Sequence, residues 1–347
     1  MKNFRFLPAS LAIAACTVML GVGACRSDAP TPPPAPPVKE EVVKTRLTVP
    51  EFVPDSAYAH VARQVSFGPR VPGSDAHREQ REFMQSTLER YGAEVEVQEF
   101  PAKFFDGNRA TGYNIIAAFN PAAPRRIFLA AHYDTRPFAD SELSTERRDE
   151  PILGADDGGS GVGVLLEIGR LLSEHPIELE DFGVDLVFYD LEDYGKPNGT
   201  SQEDAYTWGL GSQHWSRSPH VDGYAPRFGI LLDMVGAEGA VFGREAFSKQ
   251  YAGDVLNRVW GLARQMGRGD RFVNTDIGYA TDDHWFVNQI AGYPTIDIIY
   301  KPIERDRGFG DHWHTHNDNL DVISRETLGD VGQVVTAVVY RAAGNML

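Results

Sequence analysis

Residues 127–134 read IFLAAHYD, a run of five apolar residues that passes directly into His132-Tyr133-Asp134. Three later runs are similarly apolar and end at polar residues or a loop: VDLVFY at 184–189, FGILL at 228–232 and TIDIIY at 295–300. Near-continuous apolar strands of this length are typical of a parallel sheet that is buried on both faces. We therefore predict that these four runs belong to one largely parallel sheet that is covered on both faces.

Helical patterns precede and separate the four strands. Gly161–Leu172 is predicted to be a helix, and five valines between residues 331 and 339 mark the apolar stripe of a C-terminal helix. Two earlier helices are predicted, one capped by Asp55-Ser56 and one ending at Gly92, with an edge strand at 95–100. This order predicts an α/β fold, a three-layer α/β/α sandwich with a mixed, mostly parallel central sheet.

The composition fits an acidic globular protein. The chain has 347 residues, of which 42% are hydrophobic and 24% charged, so it can build a large core. Its net charge of −16 argues against nucleic acid as a partner. Both cysteines lie at residue 25 or earlier, so the rest of the chain has neither a disulfide nor a thiol nucleophile.

The first 25 residues resemble a bacterial targeting segment. Lys2 and Arg5 precede a stretch of small apolar residues, and VGAC at 22–25 resembles a lipoprotein cleavage box with Cys25 as the lipidated residue. Cys16 is an alternative lipidation site, and an uncleaved transmembrane anchor is a second interpretation of the segment. We expect three regions: a signal peptide at 1–24, a lipid-anchored proline-rich linker at 25–50 and a catalytic domain at 51–347.

The predicted anchor also suggests a location. A tether that begins at a lipidated cysteine and continues through PPPAPP at 32–37 would hold a folded domain away from a membrane surface. We expect the protein in the cell envelope, on the periplasmic side of the outer membrane. Its contact with the membrane would be made only through the lipid.

Polar residues collect where the predicted strands end. The carboxyl ends of parallel strands line the ligand crevice of an open α/β sheet, so these side chains should converge. A glycine-rich loop, GADDGGSG at 154–161, adds two carboxylates at the start of a helix. Imidazole and carboxylate groups without thiolates suit Zn²⁺ better than other divalent metals. The candidate ligands are His132, Asp157, Asp193, Asp233 and His314.

The pattern resembles the zinc aminopeptidase superfamily. The motifs that carry this resemblance are His132-Tyr133-Asp134, Gly154-Ala155-Asp156-Asp157, Glu192-Asp193, Leu232-Asp233-Met234 and His314-Thr315. Within the superfamily the chain is similar to the glutaminyl-peptide cyclotransferases, or glutaminyl cyclases. That closer similarity rests on FGPRVPG at 67–73, Asp282-Asp283-His284, Gly292-Tyr293-Pro294 and Trp313-His314-Thr315. The resemblance covers roughly residues 55–345.

The resemblance to the cyclases implies a role for each matching residue. It implies one zinc ion held by Asp157, Asp193 and His314, although the animal cyclases have Glu at the position of Asp193. It also implies that Glu192 is the general acid/base, with Asp233 and Asp282 acting beside it. The implied pocket and supporting residues are His132, Trp313, Trp208 and Asp297, the last of which replaces a histidine of the animal enzymes.

Three functions remain open from the sequence. The first is cyclisation of N-terminal glutamine on peptides or proteins, with release of ammonia. The second is a co-catalytic aminopeptidase with two zinc ions, in which His132, Asp233 and Asp193 bind metal and Glu192 activates water. The third is a non-catalytic binding module on the same fold. We further expect His312 and His316, which flank the proposed ligand His314, to face solvent.

Overall fold

The computed structural model of the protein describes residues 43–303 and 308–347, so Cys16, Cys25 and the whole predicted signal peptide lie outside the described residues. The strands are β1 Glu94–Lys103, β2 Arg109–Phe119, β3 Arg125–His132, β4 Phe182–Tyr189, β5 Gly229–Asp233, β6 Phe242–Arg244, β7 Phe272–Asp276 and β8 Thr295–Ile299. The helices are α1 Pro54–Ser66, α2 Asp75–Arg90, α3 Gly159–Glu174, α4 Gln202–Ala205, α5 Leu210–Arg217, α6 Ala246–Gln265, α7 Asp283–Phe286 and α8 Arg325–Ala343.

The main sheet has six strands in the order β1-β2-β4-β3-β5-β8. The four strands predicted from apolar runs are parallel neighbours at its centre and far edge. The edge strand β1 pairs antiparallel with β2, and β2 pairs antiparallel with β4. The prediction of a mixed, mostly parallel sheet is confirmed. β2 was not predicted from the sequence, and neither was the small β6-β7 sheet.

Side chains of the central strands alternate between two apolar cores. In β3, Ile127, Leu129 and Ala131 belong to a large core that also contains residues of α1, α3, α6 and α8. Phe128 and Ala130 of the same strand belong to a second core on the opposite face, where they pack with Trp215 of α5 and its neighbours. This period of two explains the continuous apolar run, because both faces of the strand are covered by helices. The three-layer arrangement is confirmed.

Two details near the start of the domain differ from expectation. Helix α1 begins at Pro54, with Val53 as its N-cap and no hydrogen bond from a capping side chain. The predicted cap by Asp55-Ser56 is therefore wrong. Proline at the first helical position starts the helix instead. The end of the predicted linker also contacts the domain. The Thr45 N–H donates to the carbonyl of Gly344 over 2.8 Å.

Among the described helices, none is both long and apolar enough to cross a bilayer.

Candidate metal centre and active site

The carboxyl ends of the parallel strands bring the predicted site residues together. β3 ends at His132 and β5 ends at Asp233. After β4 the chain turns at Leu191, whose φ of 58° lies in the left-handed region, and this turn directs both Glu192 and Asp193 to one site. His314, with φ of 54°, is also left-handed. Non-glycine residues in this strained region cluster at functional sites, where surrounding structure holds them.

Asp157, Asp193 and His314 form one metal-binding group. Their ligand atoms lie within 4.8 Å of one another, and all three residues are buried. His314 Nε2 is 3.0 Å from Asp193 Oδ1 and 3.7 Å from Asp157 Oδ2. The second carboxylate oxygen of Asp193 is buried and has no hydrogen-bond partner among the described residues. Two carboxylates and one imidazole, together with this unpartnered oxygen, fit a zinc site with a fourth, open position.

A carboxylate that was not predicted orients the histidine of this group. Asp140 Oδ1 lies 2.9 Å from Nδ1 of His314, and Arg136 in turn donates to Asp140 Oδ2 over 2.7 Å. The bond to Asp140 places a proton on Nδ1, which leaves the lone pair of Nε2 for a metal. Burial alone would raise the pKa of Asp140, but the hydrogen bonds to His314 and Arg136 and the charges of both residues outweigh burial and lower it. Asp140 therefore stays ionised.

Replacing this orienting carboxylate should weaken metal binding. We expect Asp140→Asn to raise the zinc dissociation constant about 10- to 100-fold, because His314 loses a charged acceptor that sets its tautomer. The measurement is equilibrium competition with a chelator of known affinity. Asp149→Asn, which changes an exposed aspartate of the same connecting segment, is the control and should leave zinc affinity unchanged.

His132, Asp157 and Asp233 form a second group that shares Asp157 with the first. His132 Nε2 lies 3.0 Å from Asp157 Oδ1 and 3.3 Å from Asp233 Oδ1. Burial lowers the pKa of His132, but hydrogen bonds to Asp134, Asp157 and Asp233 outweigh it and raise the pKa well above its ordinary value. The Gly158 N–H also points at Nε2, over 3.2 Å. This nitrogen can hold a proton between the carboxylates or offer its lone pair to a second cation.

Glu192 lies beside the group formed by Asp157, Asp193 and His314, and its carboxyl group loses its proton less readily than a free one. Its side chain is buried, and burial, together with the charges of Asp193 and Asp282, raises its pKa well above the ordinary value. Burial and the nearby Asp157 likewise raise the pKa of Asp193, to about 6. A carboxyl whose pKa is moved toward neutrality can take up and release a proton during a reaction. The environment of Glu192 therefore suits a general acid/base.

Asp282, the N-cap residue of α7, lines the cavity, and Asp297 lies close to it. The ligand atoms of Asp282, His284 and Asp297 lie within 4.8 Å of one another, and all three residues are buried. Burial raises the pKa of both Asp282 and Asp297, and the charge of Asp282 raises that of Asp297 further. Asp297, where the animal cyclases have histidine, therefore lies beside a carboxyl group of the cavity wall.

Glu245 organises the segment that carries Asp282. Its carboxylate accepts hydrogen bonds from the N–H groups of Phe247, Ser248 and Ala280 and lies 2.9 Å from His284 Nε2. Burial alone would raise its pKa, but the charge of His284 and these donors prevail and lower it to about 2. Glu245 therefore joins α6 to the segment that precedes Asp282.

The depressed pKa of Glu245 predicts a pH-dependent contribution to stability. The contribution is complete above the ordinary pKa of about 4.5 and is lost as the pH falls toward about 2. We expect Glu245→Gln to lower the free energy of unfolding by roughly 3 kcal/mol at pH 7 and by less at pH 3.5. Urea unfolding at both pH values measures the difference. Glu326→Gln, an exposed first-turn position of α8, should show no such change; an equal loss at both pH values would contradict the assignment.

A cavity of about 470 Å³ opens in front of these carboxylates. Its wall includes the indoles of Trp208 and Trp313, which stack on the imidazole of His314 with ring centroids 6.0 and 3.6 Å away. Trp208 fits only because residue 195 is glycine, since a Cβ there would lie 1.9 Å from the indole. The volume suits a small ligand or the end of a peptide.

The structure brings together every site residue predicted within the described part of the chain. The predicted site residues among those that line the cavity are Asp157, Glu192, Asp193, Trp208, Asp233, Asp282, Trp313 and His314. His132 lies close to Asp157 and Asp233, and Asp297 lies close to Asp282. The expectation that His312 faces solvent is wrong, because its imidazole is buried and lies 2.8 Å from Asp156. Burial lowers the pKa of His312, but the hydrogen bond to Asp156 and the charge of Asp156 outweigh burial and raise it to about 9. Nothing in the local sequence distinguishes its imidazole from that of His316.

Known proteins resemble this chain in sequence and in fold. The sequence profile of peptidase family M28 matches residues 114–339. A solved glutaminyl cyclase of Bacteroides thetaiotaomicron, with N-acetylhistamine bound, is 46% identical over 84% of this chain and 99% of that chain, with a TM-score of 0.81. A solved leucine aminopeptidase precursor of the same species is 45% identical over 85% of this chain and 99% of that chain, with a TM-score of 0.80. The glutaminyl-peptide cyclotransferase of Bos taurus is 26% identical over 300 residues, 78% of this chain and 77% of the bovine one.

Proposed function

Because this chain belongs to peptidase family M28, we propose that it is a zinc-dependent glutaminyl-peptide cyclotransferase, which converts the N-terminal glutamine of peptides or proteins to pyroglutamate and releases ammonia. One observation carries the proposal. The buried Glu192 and the group Asp157, Asp193 and His314 face a cavity walled by Trp208 and Trp313. Relatives named as glutaminyl cyclases support it.

The geometry matches what intramolecular cyclisation requires. The α-amine of the substrate must attack its own side-chain amide carbon, so the glutaminyl chain must fold back on itself. A cavity lined by two indoles restricts the conformations of that chain and brings the reacting groups together. Zinc bound by three protein ligands supplies Lewis-acid polarisation of the side-chain carbonyl.

Glu192 then moves the proton that the reaction displaces. Its carboxylate accepts a proton from the attacking α-nitrogen as the new carbon–nitrogen bond forms. The same carboxyl returns the proton to the side-chain nitrogen, which leaves as ammonia when the old carbon–nitrogen bond breaks. Asp282 and Asp233, which line the cavity beside Glu192, accept hydrogen bonds from the α-amine and hold it in line.

A two-zinc aminopeptidase is the second candidate, and one observation favours it. His132, Asp157 and Asp233 form a second group that could hold a cation. In that case water activated by Glu192 would attack the first peptide bond, and a free amino acid would leave. The relative named as a leucine aminopeptidase precursor makes this alternative concrete.

Product analysis separates the two candidates. Purified protein is offered Gln-Phe-Ala amide and Leu-Phe-Ala amide in parallel, and products are identified by mass spectrometry with ammonia measured enzymatically. We expect pyroglutamyl-Phe-Ala amide and one ammonia per peptide from the first, and no cleavage of the second. Free leucine from the second peptide, with no pyroglutamyl product from the first, would replace the proposal with the aminopeptidase.

We further propose that the protein is a lipoprotein of the cell envelope, anchored through Cys25 on the periplasmic side of the outer membrane. The sequence VGAC at 22–25 and the proline-rich stretch after it support this location. Cys25→Ala is expected to move the protein from the membrane fraction to the soluble fraction, while Cys16→Ala leaves it with the membrane. Membrane association that survives Cys25→Ala would contradict the lipid anchor.

A further inference from the structure

Arg70, within the segment FGPRVPG, lies fully buried beneath the glycine-rich loop. Its guanidinium donates to the backbone carbonyl of Leu153 and, over 2.7 Å, to that of Gly154. Its own carbonyl accepts from the Thr135 N–H over 3.3 Å, just beyond the end of β3. One residue thus connects the segment that follows His132 with the segment that precedes Asp157. None of the chemistry assigned above uses it.

Two buried carboxylates hold the acids of the site by their backbones. Asp134 accepts from the N–H groups of Glu192 and Asp193, over 3.0 and 3.1 Å. On the other side of the site, Asp318 accepts from the N–H groups of residues 156 and 157, over 2.7 and 3.1 Å. Each carboxylate therefore fixes a pair of consecutive acids that includes one proposed metal ligand, Asp193 or Asp157.

The guanidinium of Arg70 is a buried group near these two carboxyl groups, of which Asp318 has its pKa raised to about 7 by burial and by the charges of Asp156 and Asp157. Burial lowers the pKa of Arg70 to about 10, while the charges of Asp318 and Asp134 act against that effect, followed by those of Asp157 and Asp193. The guanidinium is therefore protonated at neutral pH. This buried cation interacts electrostatically with Asp134 and Asp318. It also interacts with the two proposed metal ligands Asp157 and Asp193. Removing one member of a buried group of opposite charges is strongly destabilising, because the remaining charges are left without a partner.

We propose that Arg70 is a positioning residue of the zinc site. Through its hydrogen bonds it joins the turn at Leu153 and Gly154 to Thr135 beyond β3, so that Asp157 and Asp193 are already in ligand geometry when zinc binds. Arginine suits this task because its planar fork can donate to two carbonyls at once, whereas the ammonium of lysine is a point charge. The inference rests on the zinc site of the proposed function.

The test compares zinc affinity in variants of two buried arginines in the full-length protein. Arg70→Met is expected to raise the zinc dissociation constant about 10- to 100-fold, and Arg70→Lys, which keeps the charge, about 3- to 10-fold. The control is Arg126→Met. Arg126 is a buried arginine at the opposite end of β3, roughly 20 Å from His132, where it pairs with Asp185. Its loss should lower the melting temperature and leave zinc affinity within twofold of wild type.

Zinc affinity and KM together distinguish a positioning role of Arg70 from a general loss of stability. At saturating zinc, Arg70→Lys should recover wild-type KM for Gln-Phe-Ala amide, because Arg70 does not touch the substrate. If Arg70→Met does not fold, Arg70→Lys carries the test. Wild-type zinc affinity in either Arg70 variant, or an equal loss of affinity in Arg126→Met, would overturn the inference. A wild-type protein that binds no zinc would instead remove the proposed function itself.

Discussion

Glu192→Gln is expected to reduce kcat for Gln-Phe-Ala amide roughly 10³-fold while zinc content remains at the wild-type level. The amide keeps the size of the carboxyl group but can neither accept the proton of the attacking amine nor return it to departing ammonia. Because Glu192 is buried beside Asp193 and Asp282, no solvent-exposed base can replace it at that position. Steady-state ammonia release measures the loss.

The matched control for this variant is Glu203→Gln. Glu203 is an exposed residue of α4, in the segment that ends at Trp208, so the same chemical change occurs near the cavity without touching its acids. It should leave kcat within twofold of wild type. Retention of a tenth or more of the wild-type kcat by Glu192→Gln, with zinc bound, would exclude Glu192 as the proton carrier.

His314→Ala is expected to abolish activity by a different route, through loss of the metal. Apparent binding free energies of structural zinc are about 10–16 kcal/mol, so one of a few ligands contributes on the order of 3 kcal/mol, a hundredfold or more in affinity. The residual Asp157 and Asp193 would also face each other without the imidazole that lies between them. Zinc per chain after dialysis, measured by inductively coupled plasma mass spectrometry, should fall well below one.

His316→Ala is the control for the ligand assignment. His316 is two residues away and only half buried, and its Nε2 lies 3.1 Å from the carbonyl of Arg147. Its replacement should leave zinc content and activity unchanged. If His314→Ala retained one zinc per chain after dialysis while His316→Ala lost it, the ligand would have been assigned to the wrong histidine.

The parts of the site that lie at strand ends could be predicted from the sequence. An apolar run such as IFLAA at 127–131 marks a buried strand, and the residue after it must lie at the carboxyl edge of the sheet. His132, Asp193 and Asp233 are found in this way, and the structure places them there. The turn that Glu192-Asp193 requires is likewise present, at Leu191.

The supporting carboxylates could not be predicted in the same way. Asp140 and Asp318 lie in irregular loops, where an aspartate usually caps a turn, and no periodicity connects them with His314 or Asp157. Their roles depend on contacts between residues more than 150 positions apart, which a single sequence does not reveal. Strand β2 was missed for a related reason. Gly112 and Asn114 interrupt its apolar pattern, and both are required by close neighbours, the ring of Phe100 and the Gly211 carbonyl.

The number of zinc ions tests the account most directly, because the cyclase and the aminopeptidase differ at His132 and Asp233. The measurement is an anomalous-scattering map at the zinc edge from crystals of the zinc-loaded protein. We predict one peak, about 2.0–2.2 Å from His314 Nε2 and from a carboxylate oxygen of Asp157 and of Asp193. Two peaks of equal height, the second between His132 and Asp233, would contradict a single-zinc glutaminyl cyclase.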